Sequence, residues 1–177
     1  MIVRIDDEVA LAPLQEEHVD ACFALAAASR SEIAPWLPWI LRTRDRADVA
    51  AYVAAANERA AHDAGISFAI LADGAFAGAV DVHDINRTHE VAQIGYWLGT
   101  PFLGRGIMTR AVRETARIAF RDHGIHRLEL LCAVANLRSR GVAERAGFLQ
   151  EAVLRRRLRG ADGWDDCALY VRFADHG

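Results

Sequence analysis

Two glycines one residue apart, Gly104 and Gly106, stand between a run that reads as a buried strand and a run that reads as a helix. The strand is Val91-Ala92-Gln93-Ile94-Gly95-Tyr96-Trp97-Leu98, and the helix covers residues 109–123. The loop is Phe102-Leu103-Gly104-Arg105-Gly106-Ile107-Met108-Thr109. Glycines let a backbone turn tightly and aim successive N–H groups at one point. The helix start adds its own unpaired N–H groups and the positive end of its dipole. Such a nest suits a diphosphate, and the same residues also suit a plain turn. The spacing is not the dinucleotide fingerprint, which needs a third glycine, and no Gly-Lys-Ser/Thr marks a P-loop.

A chain of 177 residues with 53% hydrophobic content fits one domain, residues 1–177, with a sizeable core. A net charge of -3 gives no broad attraction to nucleic acid. Cys22, Cys132 and Cys167 are odd in number and widely spaced. That pattern implies reduced thiols, a cytoplasmic setting and no zinc site or other metal. Asp6, Asp7 and Glu8 follow Arg4, which no signal peptide would show, and no apolar run reaches the ~18 residues of a membrane helix.

In chain order, residues 9–14 alternate and end near Pro13, predicting a first strand at a sheet edge. Residues 15–28 predict a helix with Val19, Cys22, Phe23 and Ala26 on one face. Trp36-Leu37-Pro38-Trp39 then forms a rigid aromatic loop. Its tryptophans either plug the core or wall an acceptor pocket. Asp45 and Asp48 predict the capped start of a second helix that Gly65 ends. Asp73-Gly74 predicts a hairpin between residues 67–72 and 75–82, and residues 84–90 read as a polar connection. After the glycine loop, the helix carries Ala111, Val112, Thr115, Ile118 and Ala119 inward and stops at Gly124. A strand over 127–134 follows, then a short helix that Asn136 caps, then a hairpin around Gly160-Ala161-Asp162-Gly163. These segments make a mixed α/β sheet of seven strands flanked by about four helices.

The ordered set Trp36-Leu37-Pro38-Trp39, Ile94-Gly95-Tyr96-Trp97-Leu98, Gly104-Arg105-Gly106-Ile107-Met108-Thr109, Asn136 with Ser139, and Glu144-Arg145-Ala146-Gly147-Phe148 resembles the GNAT superfamily of acetyl-CoA-dependent N-acyltransferases. More narrowly it is similar to the RimJ/RimL branch, which acetylates the N-termini of ribosomal proteins. The resemblance implies a mostly antiparallel GNAT sheet, splayed at its central strands, with acetyl-CoA as co-substrate. It implies that main-chain groups of Trp97 and Leu98 pair with the pantetheine arm. It implies that the N–H groups of Leu103, Gly104, Arg105, Gly106, Ile107, Met108 and Thr109 hold the pyrophosphate. Arg105 either adds charge there or faces solvent. The resemblance also implies that Asn136 contacts the cofactor arm, a role that competes with capping its helix although one side chain can serve both, and that Ser139, otherwise an ordinary first-turn serine, is the general acid for the departing thiolate. Cys132 also matches a family position and reads as strand packing. The resemblance implies a primary amine as acceptor, on a protein N-terminus or a small molecule, and a homodimer as a candidate assembly.

Two acidic positions of the branch are absent. The glutamate of the penultimate strand is replaced by Leu158, and the one before Ile-Gly-Tyr-Trp by Gln93. Neither can accept a proton. His83 is the substitute base, with an ordinary pKa near ~6.5 that suits neutral pH; its plainer reading is a half-exposed histidine at a strand end. Glu90, Asp84 and bulk water are further candidates. The run Arg155-Arg156-Arg157-Leu158-Arg159 is the solvated side of a hairpin or a seat for an acidic acceptor. The missing glutamates keep a second class open, a non-catalytic acyl-CoA-binding sensor module. A nucleic-acid module lacks a basic face beyond that one hairpin.

Overall fold

The computed structural model describes residues 1–160 and 163–174. Its strands are β1 (Val3–Arg4), β2 (Val9–Pro13), β3 (Ile66–Ala72), β4 (Ala75–Asn86), β5 (Val91–Leu98), β6 (Arg127–Ala133), β7 (Leu149–Arg159) and β8 (Trp164–Phe173). The helices are α1 (Val19–Ala28), α2 (Arg30–Ile33), α3 (Arg46–Ala61), α4 (Ile107–His123) and α5 (Leu137–Arg145). All eight strands form one sheet in the order β1-β2-β3-β4-β5-β6-β8-β7.

Local chemistry explains the elements that frame the site. Asp73 and Gly74 both take positive φ, 51° and 80°, the two-residue turn whose twist matches a hairpin, so β3 and β4 pair tightly. The Asp45 side chain accepts from the Asp48 N–H while Asp48 reaches back, a reciprocal cap that starts α3. Gly106 and Gly124 bracket α4 in the left-handed conformation, with φ of 71° and 61°. Between them Ile107, Ala111, Val112, Ala116 and Ala119 are fully buried against Val80, Val82, Ile94 and Leu128. The small alanines let the helix lie close to the sheet, and each large apolar side chain buried there contributes about 1.5–3 kcal/mol. On the opposite face α1 and α3 pack through Val19, Cys22, Ala26, Val49, Val53 and Ala56 onto Ala69, Ala79 and Trp97. The result is three layers, with α4 and α5 on one face of the sheet and α1 and α3 on the other.

The one parallel pair among the described strands is β5 with β6, joined by the α4 crossover. Its register runs only through Val91↔Arg127, Ala92↔Leu128 and Gln93↔Glu129. Past Gln93 the strands part, so the sheet is splayed at its centre as expected.

Several boundaries differ from the sequence reading. The sheet has eight strands rather than seven, because β1 pairs with β2. The edge assigned to residues 9–14 therefore belongs to β1, and β2 is flanked on both sides. A fifth helix, the single turn α2, precedes the tryptophan loop. Gly65 does not take left-handed φ; Asp63 does, at 53°, just after the end of α3. Strand β4 runs on to Asn86, through residues expected in the connection. The final turn was placed on Gly160-Ala161-Asp162-Gly163; Ala161 and Asp162 lie outside the described residues, and β7 and β8 pair up to Arg159↔Trp164.

Candidate active site

The gap beyond Gln93 lies between a glycine loop and a cavity. By the alternation of an antiparallel ladder, Gly99, whose N–H donates to Ala77 O at 2.9 Å, sets the direction of its neighbours. Main-chain groups of Trp97 then turn toward β4, where a Cβ on Gly78 would meet Trp97 O at 2.2 Å. Those of Tyr96 and Leu98 turn toward the gap. Of the two residues expected to pair with a pantetheine arm, Leu98 presents its backbone there and Trp97 does not.

At the loop, Gly104 and Gly106 take φ of 78° and 71°, and a Cβ on either would meet nothing within 4 Å. Open space and positive φ together make this a place where a ligand can approach the backbone. The N–H of Leu103 is taken by Thr100 O at 3.3 Å. The N–H groups of residues 104–109 find no acceptor among the described residues. Ile107, Met108 and Thr109 turn their side chains into the core. The Thr109 Oγ1 is buried without a partner. Arg105 is neither free nor merely solvated: its guanidinium lies 2.6 Å from Glu8 and 2.9 Å from Asp73. Arg110 joins the same network through Asp6 and Glu8, both at 2.8 Å. These pairs tie the loop to the β1–β2 and β3–β4 turns.

On the α4 and α5 side of the gap, Asn136 accepts from the Ser139 N–H at 3.1 Å and caps α5. The Ser139 hydroxyl lies 2.8 Å from the Tyr96 hydroxyl. Burial pushes the Tyr96 phenol well up, so it stays protonated and can donate. Burial likewise raises the Cys132 thiol, which is therefore no thiolate nucleophile at neutral pH.

On the opposite face a cavity of about 590 Å³ opens between α1, α3 and strands β4 and β5. Trp39, Leu37, Val49, Tyr52 and Trp97 give it apolar walls; Asp48, Arg59, Asp81, His83 and Asp84 give it charge. Trp39 stands edge-on to Trp97 with ring centroids 6.0 Å apart. Trp36 does not line the cavity and is 39% exposed. The plugging role in that loop falls to Ile33 and Ile40, both buried, while Trp39 faces the cavity.

His83 is not at a strand end but inside β4, opposite Gln93. Its Nδ1 lies 3.3 Å from Asp81 Oδ2, and that buried nitrogen has no other partner among the described residues. The Asp81 carboxylate raises the His83 pKa above its ordinary value, outweighing burial. Gly95 makes room for the pair, because a Cβ there would stand 3.1 Å from both the Asp81 carboxylate and the His83 ring. Strand alternation puts the His83 side chain on the cavity face and the Tyr96 hydroxyl, with Ser139, on the other, while Tyr96 also lines the cavity at the gap. A reagent touching both must reach through the gap. Leu158 is half-buried in the outer strand opposite Asp165. Asp81, Tyr96, Tyr52 and Arg59 were not singled out from the sequence. Asp81 was findable, since it precedes His83 by two residues in an alternating strand and so shares its face.

A family model described as an acetyltransferase (GNAT) domain matches residues 8–149, most of the chain. The chain belongs to the GNAT acetyltransferase family. It is 38% identical over 91 residues to the putative ribosomal N-acetyltransferase YdaF of Bacillus subtilis (strain 168), covering 51% of this chain and 50% of that one. Over 175 residues it is 25% identical to the ribosomal-protein-serine acetyltransferase of Escherichia coli (strain K12), covering 98% and 97%. The chain thus spans half the length of the first relative and nearly all of the second. Its fold superposes with a TM-score of 0.96 on RimL, a ribosomal L7/L12 alpha-N-protein acetyltransferase solved with coenzyme A, at 23% identity and full coverage of both chains. No helix of the described residues is long and apolar enough to cross a membrane, and no cluster of three or more His, Cys, Asp or Glu among them could hold a metal.

Proposed function

We propose that residues 1–177 act as one acetyltransferase domain that moves the acetyl group of acetyl-CoA onto a primary amine by direct attack. The observation that carries this reading is the gap after Gln93, which joins the open glycine loop on one side to the walled cavity on the other. Free N–H groups at residues 104–109 receive the pyrophosphate, and the Leu98 backbone guides the arm inward. The Leu98 N–H donates to the carbonyl oxygen as negative charge builds there. His83 takes the proton that the amine nitrogen loses as its bond to the acetyl carbon forms. Ser139, backed by the protonated Tyr96, gives a proton to the sulfur as the carbon–sulfur bond breaks. Alignment of the two reactants supplies most of the rest, about 7–11 kcal/mol in well-oriented systems. The branch's glutamates are absent at Gln93 and Leu158, so proton removal runs through His83 on the cavity face.

Acceptors of two kinds suit the cavity: a protein N-terminus, in line with the ribosomal-protein names of the relatives, and a small-molecule amine. Three free, buried cysteines accord with a cytoplasmic setting. The exposed outer strand β7 accords with a homodimer. Purified protein mixed with acetyl-CoA and a panel of peptides and small amines is expected to release free thiol only when an acceptor is present, and Ser139→Ala to slow that release. Coenzyme A binding with no acceptor-dependent release across the panel would instead leave an acyl-CoA sensor.

A further inference from the structure

The cavity holds one cation that the reaction does not use. Arg59, in the last turn of α3, lines the same walls as Asp81, His83 and Tyr52. It is half-buried, and its guanidinium makes no hydrogen bond or ion pair with any described residue. Three other arginines are engaged: Arg46 by Glu16 and Asp20, Arg87 by Asp63, Arg30 by the carbonyls of Ile40 and Thr43. Of the three carboxylates that line the cavity, Asp48, Asp81 and Asp84, none is within ion-pair distance of Arg59, and two have other work. Asp48 accepts from the N–H groups of Arg44 and Asp45, and Asp81 faces His83.

The fold also makes room for this side chain. A Cβ on Gly65 would stand 3.3 Å from Arg59 Cβ and 3.6 Å from its Nε, and 3.2 Å from Val82 O. The stem therefore lies along bare backbone at Gly65, at the cavity end of β3 and β4. A half-buried guanidinium with its donors unmet is a strong receptor for an anion, since its planar fork matches carboxylate and phosphate oxygens.

We infer that the acceptor carries, besides its primary amine, an anionic oxygen group that Arg59 receives while the amine lies at His83 and Asp81. The inference rests on the acetyl-transfer reading and narrows its acceptor to amines with a carboxylate or phosphate near the nitrogen. Trp39 and Tyr52 line the same cavity and give it apolar walls.

The test uses matched pairs of acceptors that differ only in the anion: an amino acid and its decarboxylated amine, phosphoethanolamine and ethanolamine, and serine-led peptides with aspartate or asparagine second. The wild-type enzyme is expected to favour the anionic member of at least one pair by about tenfold or more in kcat/KM, the scale of one hydrogen-bonded charge. The pair that shows the preference identifies the anion. Arg59→Gln is expected to abolish the preference, read as the ratio of kcat/KM between the two members of a pair, by raising KM for the anionic member, as a lost charge contact requires. Arg59→Lys is expected to restore part of it. Turnover of both members without preference, or a preference that survives Arg59→Gln, would overturn the inference and leave acetyl transfer standing. Calorimetry with protein saturated in coenzyme A gives a readout free of turnover: anionic amines should bind wild type and not Arg59→Gln. No turnover of any amine together with no Arg59-dependent binding would remove both readings.

Discussion

His83 meets the amine in a proton state that Asp81 sets. A carboxylate 3.3 Å away favours the imidazolium, so the folded pKa lies above the ordinary value. A general base must be neutral, so kcat/KM should fall as pH drops through that raised pKa. Asp81→Asn removes the favouring charge and should move the acidic limb to lower pH. His83→Gln should flatten the limb and lower kcat by about a hundredfold or more. Stability runs the other way. The pair's contribution is complete below the unfolded pKa of ~6.5 and is lost as pH rises through the raised folded value. A pH–rate series on the three proteins, beside thermal melts at the same pH values, checks both signs. Unchanged rates and limbs in both variants would assign proton removal to water.

At the scale of the element, the loop and α4 make one device. Gly106 sits at φ 71° with open space where a Cβ would be, so Gly106→Ala strains the backbone and crowds nothing. That costs about 1–2 kcal/mol. In a protein of this size Tm should fall by about 2–4 °C per kcal/mol. Gly124 at the far end of α4 has φ 61° and the same open space, so Gly124→Ala should cost a similar amount. Only Gly106→Ala should raise KM for acetyl-CoA, because only there do the strained dihedrals aim N–H groups at a ligand. Equal KM values in the two variants would detach the loop from the cofactor. This device was legible in the sequence because its signals are local: a strand, two glycines, a helix stripe and a stop at Gly124. The helix start was misplaced by two residues, because Ile107 and Met108 look like loop until their burial is known. The engagement of Arg105 was not legible, since Glu8 and Asp73 reach it only through the fold. For the same reason the sequence offered Trp36 and Trp39 as equals, and packing separated them.

Across the whole molecule, the sheet ends are unlike. At one end β1 is only two residues long, which limits the edge it offers. At the other end β7 is eleven residues long and outermost, with its free edge unpaired among the described residues. Leu149 is 75% exposed and Val153 47%, and on the adjoining strand Trp164 is 58% and Phe173 46% exposed. A long apolar edge of this kind invites pairing with another chain. Its far half is guarded: the register shifts between Leu154 and Leu158, Arg156 takes φ 50°, and three successive arginines project there. A second copy meeting the near half through Leu149 and Val153 would cover the apolar part while keeping the arginines apart. Light scattering on the purified protein is then expected to give about twice the 19.5 kDa of one chain. Leu149→Glu combined with Val153→Lys should give a single-chain mass with Tm lowered by little, because both side chains are already in water in the lone chain. A dimer that withstands both charges would place the contact on another face. A monomeric wild-type protein would leave Leu149 and Val153 as ordinary exposed apolar residues, kept from aggregation by the bulge and arginines beside them.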